Sequence, residues 1–226
     1  MKKVCFIPLR AGSKGIPRKN IKRLYDKPLF CWILDTILAS KEFSEIWIAT
    51  DCDEVKKIAA KRYPDVFVFN RSNESAIDTA PTIHIVKEFL LRQSYHSDDW
   101  FVLFQATSPF TSLEDINKLC RLMEVTKKDS MIACYRTHKF RWSSTGRPMD
   151  YEFESKPRRQ DYAGILLESG SFYASKIGSI MQSGQLLTIP VETVELGKSA
   201  SIDIDDDFDF AMAETYIKQL LDDGLL

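Results

Sequence analysis

Short, continuously apolar runs recur along this chain, and segments of helical period separate them. The runs "VCFIP" (4–8), "EIWIAT" (45–50), "VFVF" (66–69), "WFVLF" (100–104) and "SMIACY" (130–135) are β-branched and aromatic, which predicts strands. Between them, 28–40 carries apolar residues at 29, 30, 33, 34, 37 and 38, the spacing of a helix face, with Pro28 tolerated in its first turn. Residues 51–63 predict a second helix with Asp51 as N-cap and Glu54 as its box partner. A third runs from about Thr79 to Gln93, and a fourth from Ser112 and Asp115 to about Val125. Strands apolar on every residue are covered on both faces, so the alternation predicts an α/β fold with three layers and a mostly parallel sheet. Later, 169–176 and 186–192 read as strands, the first antiparallel, and 206–221 as a closing amphipathic helix.

In open sheets of this kind, ligands bind beyond the carboxyl ends of the strands. Four segments fall there: residues 9–20, Asp51, Arg71 and "QATSP" (105–109). The 226 residues suit a single domain, 1–226. A net charge of −1 gives no footprint for nucleic acid or an anionic membrane. Without a long apolar stretch or a signal-peptide pattern, the expectation is a cytoplasmic protein. Cys5, Cys31, Cys52, Cys120 and Cys134 lack C-x-x-C spacing and read as reduced thiols in or near the core. His84, His96 and His138 lack metal-ligand spacing.

The rhythm breaks at 136–162. That stretch is too long for a plain connection and too aromatic for disorder, with Phe140, Trp142, Tyr151, Phe153 and Tyr162. A projecting arm that embraces a second subunit fits, which predicts a homodimer.

Charge is unevenly placed. Residues 1–27 hold nine Lys and Arg against Asp26, whereas 203–209 hold five aspartates. In "IPLRAGSKGIPRKN" (7–20), Gly12 and Gly15 permit unusual backbone turns. Inward N–H groups, Arg10, Lys14, Lys19 and the Ser13 hydroxyl then form a phosphate cradle. The stretch matches neither the Walker pattern nor G-x-G-x-x-G. Asp203 and Asp205 alternate along an extended segment and point to one face. Paired carboxylates repel unless a cation lies between them, and their hard oxygens suit Mg²⁺. Asp206, Asp207 and Asp209 read instead as acids at a helix N-terminus. Gln105, Thr107 and Ser108 are equally a ligand-facing set or a turn with a helix cap.

"IPLRAGSKGIPRKN" resembles the N-terminal signature of the acylneuraminate cytidylyltransferase family, roughly A-R-x-G-S-K-G-x-x-x-K-N. Arg10, Gly12, Ser13, Lys14, Gly15, Lys19 and Asn20 match, while Leu9 replaces an alanine. "ATD" (49–51), Arg71, "QATSP", "RRQD" (158–161) and "SIDIDDDFDF" (201–210) follow in order, so the likeness runs nearly end to end. Ala106 stands where proline is usual, and Glu168 and Ser169 where N-G-A is common.

The resemblance implies a Rossmann-like nucleotidyltransferase fold with a dimerisation arm at 136–162. It implies transfer of CMP from CTP to a nine-carbon 2-keto sugar acid, with release of pyrophosphate. Lys14, Arg10 and Lys19 are then catalytic. Leu9, Arg10, Ala11, Gly12, Ser13, Lys14, Asn20, Arg71 and Thr79 hold the nucleotide. Gln105, Thr107, Ser108, Arg159 and Gln160 serve the sugar acid, and Asp203 with Asp205 binds Mg²⁺. Two other readings are a same-fold enzyme acting on Kdo or a sugar phosphate, and a non-catalytic nucleotide-binding protein.

Overall fold

The computed structural model describes residues 1–13, 15–72 and 81–225. In chain order its strands are β1 (Lys3–Leu9), β2 (Arg23–Leu24), β3 (Lys27–Pro28), β4 (Glu45–Thr50), β5 (Phe67–Asn70), β6 (Trp100–Phe104), β7 (Ser130–Thr137), β8 (Ile165–Lys176) and β9 (Glu192–Leu196). Its helices are α1 (Leu29–Ser40), α2 (Asp53–Arg62), α3 (Thr82–Leu91), α4 (Leu113–Val125), α5 (Ile177–Ser183) and α6 (Asp207–Asp222).

Alternation of side chains along β1 builds the layers. Cys5, Ile7 and Leu9 point into one apolar cluster, joined by Phe30 and Leu34 of α1, Val55 of α2 and Leu119 of α4. Val4 and Phe6 point the other way, toward Val86 and Phe89 of α3 and Ile180 of α5. β6 divides identically, with Trp100, Val102 and Phe104 on one side and Phe101 and Leu103 on the other. Such strands must be apolar throughout, because each face meets a helical layer.

Among the described residues the main sheet has seven strands in the order β5-β4-β1-β6-β8-β7-β9. β5, β4, β1 and β6 are mutually parallel, as are β7 and β9. β8 is antiparallel to both β6 and β7, as its sequence predicts. It is the return limb of a long hairpin with β7, and residues 138–164 form the hairpin's extended tip. That tip has its own organisation. Phe140 packs on Tyr151 and Tyr162, Trp142 bridges to Pro148, and Arg141 pairs with Asp150 at 2.7 Å. Trp142, Met149 and Phe153 remain at least half exposed there.

A third cluster, including Ile16, Leu24, Trp32, Phe110, Ile204 and Phe210, packs α6 against the loop after β1. Four cysteines are buried, Cys52 is half-buried, and all five are free thiols. Among the described residues, no helix is long and apolar enough to cross a membrane.

Three sequence expectations need correction. Asp51 is not an N-cap: α2 starts at Asp53, and Cys52 precedes it without a side-chain cap. The Asp51 carboxylate instead accepts from the Ala11 N–H at 2.8 Å. Long-range demand from a loop outweighs the local helix signal. The strand expected at 186–192 is displaced to Glu192–Leu196. Its apolar signal comes from loop residues such as Leu186, which packs under α5, while Pro190 lacks the N–H a ladder needs. α3 is shorter than expected, starting at Thr82 after Pro81. The cap signal on α4 holds as a reciprocal box of Ser112 with Asp115; Asp206 and Asp209, expected as acids at a helix N-terminus, form a second box on α6.

Phe89 is fully buried and touches Phe6, Trp47, Phe69, Tyr95 and Phe101. Phe89→Ala should destabilise the protein by about 3–5 kcal/mol, as cavities in rigid aromatic cores do. Urea unfolding at fixed pH measures it, and a loss below about 1 kcal/mol would mean that the site relaxes around the hole.

Candidate active site

The carboxyl ends of β1, β5 and β6 open on one cavity of about 670 Å³. Arg10, Ser13, Gly15, Lys19 and Asn20 enter it from the loop after β1, Arg71 from beyond β5, and Gln105, Ala106 and Thr107 from beyond β6. Asp205 closes it from the far end of the chain.

The loop after β1 is pinned at several points. Ile16 is buried beneath it, Asn20 Nδ2 donates to the Arg10 carbonyl at 3.1 Å, and Asp51 holds the Ala11 N–H. Arg18 takes a left-handed backbone (φ 57°), and its guanidinium pairs with Glu54 of α2. Gly15 is needed for space: a Cβ there would lie 2.1 Å from the Asp205 carbonyl oxygen. The two oppositely charged ends of the sequence therefore meet. Lys19 Nζ donates to the Ile204 carbonyl at 2.6 Å and to Asp205 Oδ1 at 3.1 Å. Lys22 pairs with Asp207 at 3.2 Å.

Much of the N-terminal basic surplus is structural. Lys2 pairs with Glu45, Lys3 with Glu42, and Lys27 with Asp35. Among the described residues, the cations lining the cavity are Arg10, Lys19 and Arg71. Burial is the main influence holding Arg71 below its ordinary value; Asp51 opposes that, Arg10 adds to it, and Glu88 opposes it. Two guanidiniums close enough to repel across a cleft create a place where an anion is favoured.

The acidic segment before α6 meets this lining through Asp205. The Ile204 N–H donates to the Thr107 carbonyl at 2.8 Å, which seats the extended acidic segment on the loop after β6. Ser108, fully buried, donates its hydroxyl to Asp203 Oδ1 at 3.4 Å. Gly170 of β8 has φ +76°, and a Cβ there would lie 3.2 Å from Asp203 Oδ2, so glycine suits both the turn and the contact. Burial pushes the Asp203 carboxyl up from its ordinary value; Thr107 lowers it, Asp205 raises it, and Lys19 and Ser108 lower it. A carboxylate raised by both burial and a second carboxylate has unmet demand for a cation. Among the described residues no group of three or more His, Cys, Asp or Glu gathers to hold a metal. Two hard-oxygen donors on an open cleft fit Mg²⁺, which keeps several waters and shares its shell with phosphates.

Other expected site residues have mixed placements. Leu9 is buried in the core, so only its backbone can face a ligand. Ala11 and Gly12 are exposed on the loop. Arg159 and Gln160 lie on an exposed turn of the hairpin tip, apart from the cavity lining. Lys14 and Thr79 lie outside the described residues. Sequence reasoning missed Thr82, Ile85, Leu103, Leu186 and Tyr173, which also line the cavity. Tyr173 had a signal, since it lies in the β8 segment that departs from the family pattern. Its hydroxyl donates to Glu168.

A cavity lined by two arginines, a lysine and an aspartate, beyond parallel strands, defines an α/β protein suited to a phosphorylated ligand. The fold is shared with CMP:2-keto-3-deoxy-manno-octonic acid synthetase in complex with CTP, at TM-score 0.71 and 17% identity, covering 97% of this chain and 99% of that one. It is also shared with 4-diphosphocytidyl-2C-methyl-D-erythritol synthase of Anaerococcus prevotii, at TM-score 0.67 and 16% identity over 96% and 98%. Residues 4–220 match the cytidylyltransferase family, and the chain belongs to it. It is 33% identical to N-acylneuraminate cytidylyltransferase A of Danio rerio over 92% of its length. That match covers 49% of the relative, so the chain spans about half the length of the curated relatives it first matches. CMP-N,N'-diacetyllegionaminic acid synthase of Legionella pneumophila is 30% identical over 95% of both chains.

The raised Asp203 carboxyl gives a pH-dependent test. A group whose folded value exceeds its unfolded value stabilises the fold when protonated, and that contribution is lost as pH rises through the folded value. Ionised Asp203 is therefore a cost near pH 7. Asp203→Asn should raise the unfolding free energy there, and the gain should shrink on acidification toward the ordinary carboxyl range near pH 4. Urea titrations at both pH values check this; a destabilised variant at neutral pH would contradict it.

Proposed function

We propose that this protein transfers CMP from CTP to a nine-carbon 2-keto sugar acid of the sialic acid type, releasing pyrophosphate. The observation that carries the reading is the meeting of Arg10, Arg71 and Lys19 with Asp205 around one cavity, with Asp203 two residues from Asp205. The names of the relatives support the reaction class. Both the N-acylneuraminate and the diacetyllegionaminic acid enzymes are named for acidic sugars joined to CMP.

In the proposed reaction the anomeric hydroxyl attacks the α-phosphorus of CTP, and the bond to the β-phosphate breaks. Arg10 and Arg71 offer planar forks to non-bridging phosphate oxygens. Lys19 is held by the Ile204 carbonyl, so its ammonium is aimed before substrate arrives and needs little reorganisation. Lys14, from the same loop, stabilises charge on the departing pyrophosphate. Gln105 and Thr107 present polar groups where the acceptor would lie. Asp203 and Asp205 would hold Mg²⁺, which when bound neutralises phosphate charge and makes the nearby hydroxyl more acidic.

The hairpin tip at 138–164 serves as a dimerisation arm in this proposal. Its exposed Trp142, Met149 and Phe153 supply apolar contact, and Arg159 with Gln160 completes the sugar pocket of a second copy. The setting is the cytoplasm, where CTP is available.

With CTP and Mg²⁺, a panel of 2-keto sugar acids should yield pyrophosphate and a CMP-sugar. Turnover only with Kdo or with sugar phosphates would replace this reading with the same-fold alternative. CTP binding without turnover on any acceptor would favour a nucleotide-binding role. Asp205→Asn should raise the Mg²⁺ concentration for half-maximal rate by about tenfold or more, the scale of losing one charged ligand. Unchanged metal dependence would leave Asp205 as only the partner of Lys19.

A further inference from the structure

Glu168 lies outside the cavity, yet it touches a side chain that lines it. Its exposed carboxylate accepts from the Tyr173 hydroxyl, and Tyr173 is part of the cavity wall. Gln105 and Thr107 line the same cavity, where Thr107 Oγ1 donates to Gln105 Oε1 at 3.5 Å. A carboxylate can only accept here, so it fixes the direction of the Tyr173 O–H and leaves the lone pairs of the phenol oxygen for other partners.

The position is unusual for a structural contact. Glu168 and Tyr173 both belong to β8, five residues apart, so their side chains leave opposite faces of a regular strand. They meet because β8 is interrupted between them: Gly170 has φ +76°, and the register with β7 shifts between Ile132 and Cys134. The same irregularity seats Asp203 against Gly170. Burial, Glu168 and Asp203 all push the Tyr173 phenol up, so it stays protonated and serves as a donor.

We infer that Glu168 is a positioning residue for the acceptor: it fixes the Tyr173 hydroxyl on the cavity wall that the acceptor meets. The inference rests on the proposed function for its kinetic consequence and on geometry alone for the relay from Glu168 to Tyr173. Glu168 is not part of the cavity lining, whereas Tyr173 is, so its influence passes through that side chain.

The test combines kinetics with a double-mutant cycle. Glu168→Ala should raise the acceptor KM about tenfold, the scale of one oriented hydrogen bond to a charged partner. The CTP KM should stay within about twofold, because the arginine wall is untouched. Glu168→Gln, whose amide oxygen can still accept from Tyr173, should recover most of the loss. In a Tyr173→Phe background, Glu168→Ala should add nothing further. Additive effects of the two substitutions, or an equal rise in both KM values, would overturn the inference. If the unsubstituted protein releases no pyrophosphate with any 2-keto sugar acid, the proposed function fails by itself. The relay is then decided by urea unfolding of the same four proteins: coupling between positions 168 and 173 upholds it, and additivity overturns it.

Discussion

Lys19 spans 185 positions of sequence to reach the Ile204 carbonyl, and its ammonium also meets the Asp205 carboxylate. The rest of the site depends on this contact. A buried ammonium stem needs acceptors, and the extended segment before α6 supplies them. The exchange draws the acidic end of the chain over the glycine-bearing loop, so closely that residue 15 can carry no side chain. Ile16, Leu24, Ile204 and Phe210 then pack beneath the junction and make it part of the core. Arg10, Arg71, Lys19 and Asp205 are thus brought to one cavity before any ligand arrives.

Opposed charge across one cleft explains the electrostatics of the individual groups. Asp203 is raised because burial and Asp205 both disfavour its charge, and Lys19 only partly offsets them. Arg71 is lowered because burial and Arg10 act together against Asp51 and Glu88. Each wall taken alone carries charge that costs free energy. In the proposed function a triphosphate with a divalent cation would offset both, phosphate against the guanidiniums and cation against the carboxylates. A site that stores unfavourable charge in this way lends its stabilisation to the bound complex.

The sheet was largely legible because its strands are apolar on both faces, a pattern that local composition alone produces. The boundaries of β1, β4 and β6 and the capping boxes of α4 and α6 follow from residues within a few positions of one another. The failures share a cause. Asp51 looked like a cap and became an anchor for the Ala11 N–H. The apolar run near Leu186 looked like a strand and became packing under α5. Tyr173 lies in a segment whose departure from the family pattern is visible, but the register shift of β8 against β7 that brings it to Glu168 is not. In each case a partner far away in sequence decided the outcome.

By itself the sequence determined the α/β class and pointed to Arg10, Lys19, Arg71 and Asp205, which line one cavity beyond the carboxyl ends of the strands. Those follow from periodicity, from where polar residues interrupt apolar runs, and from motifs read in order. Only the tertiary structure decided that Lys19 joins the acidic pair, that Ser108 is buried behind Asp203, and that Glu168 holds the Tyr173 hydroxyl. Hydrogen bonds and charge pairs of that kind are made at fixed distances between residues up to 186 positions apart. No local pattern encodes such distances, and packing of the intervening layers sets them.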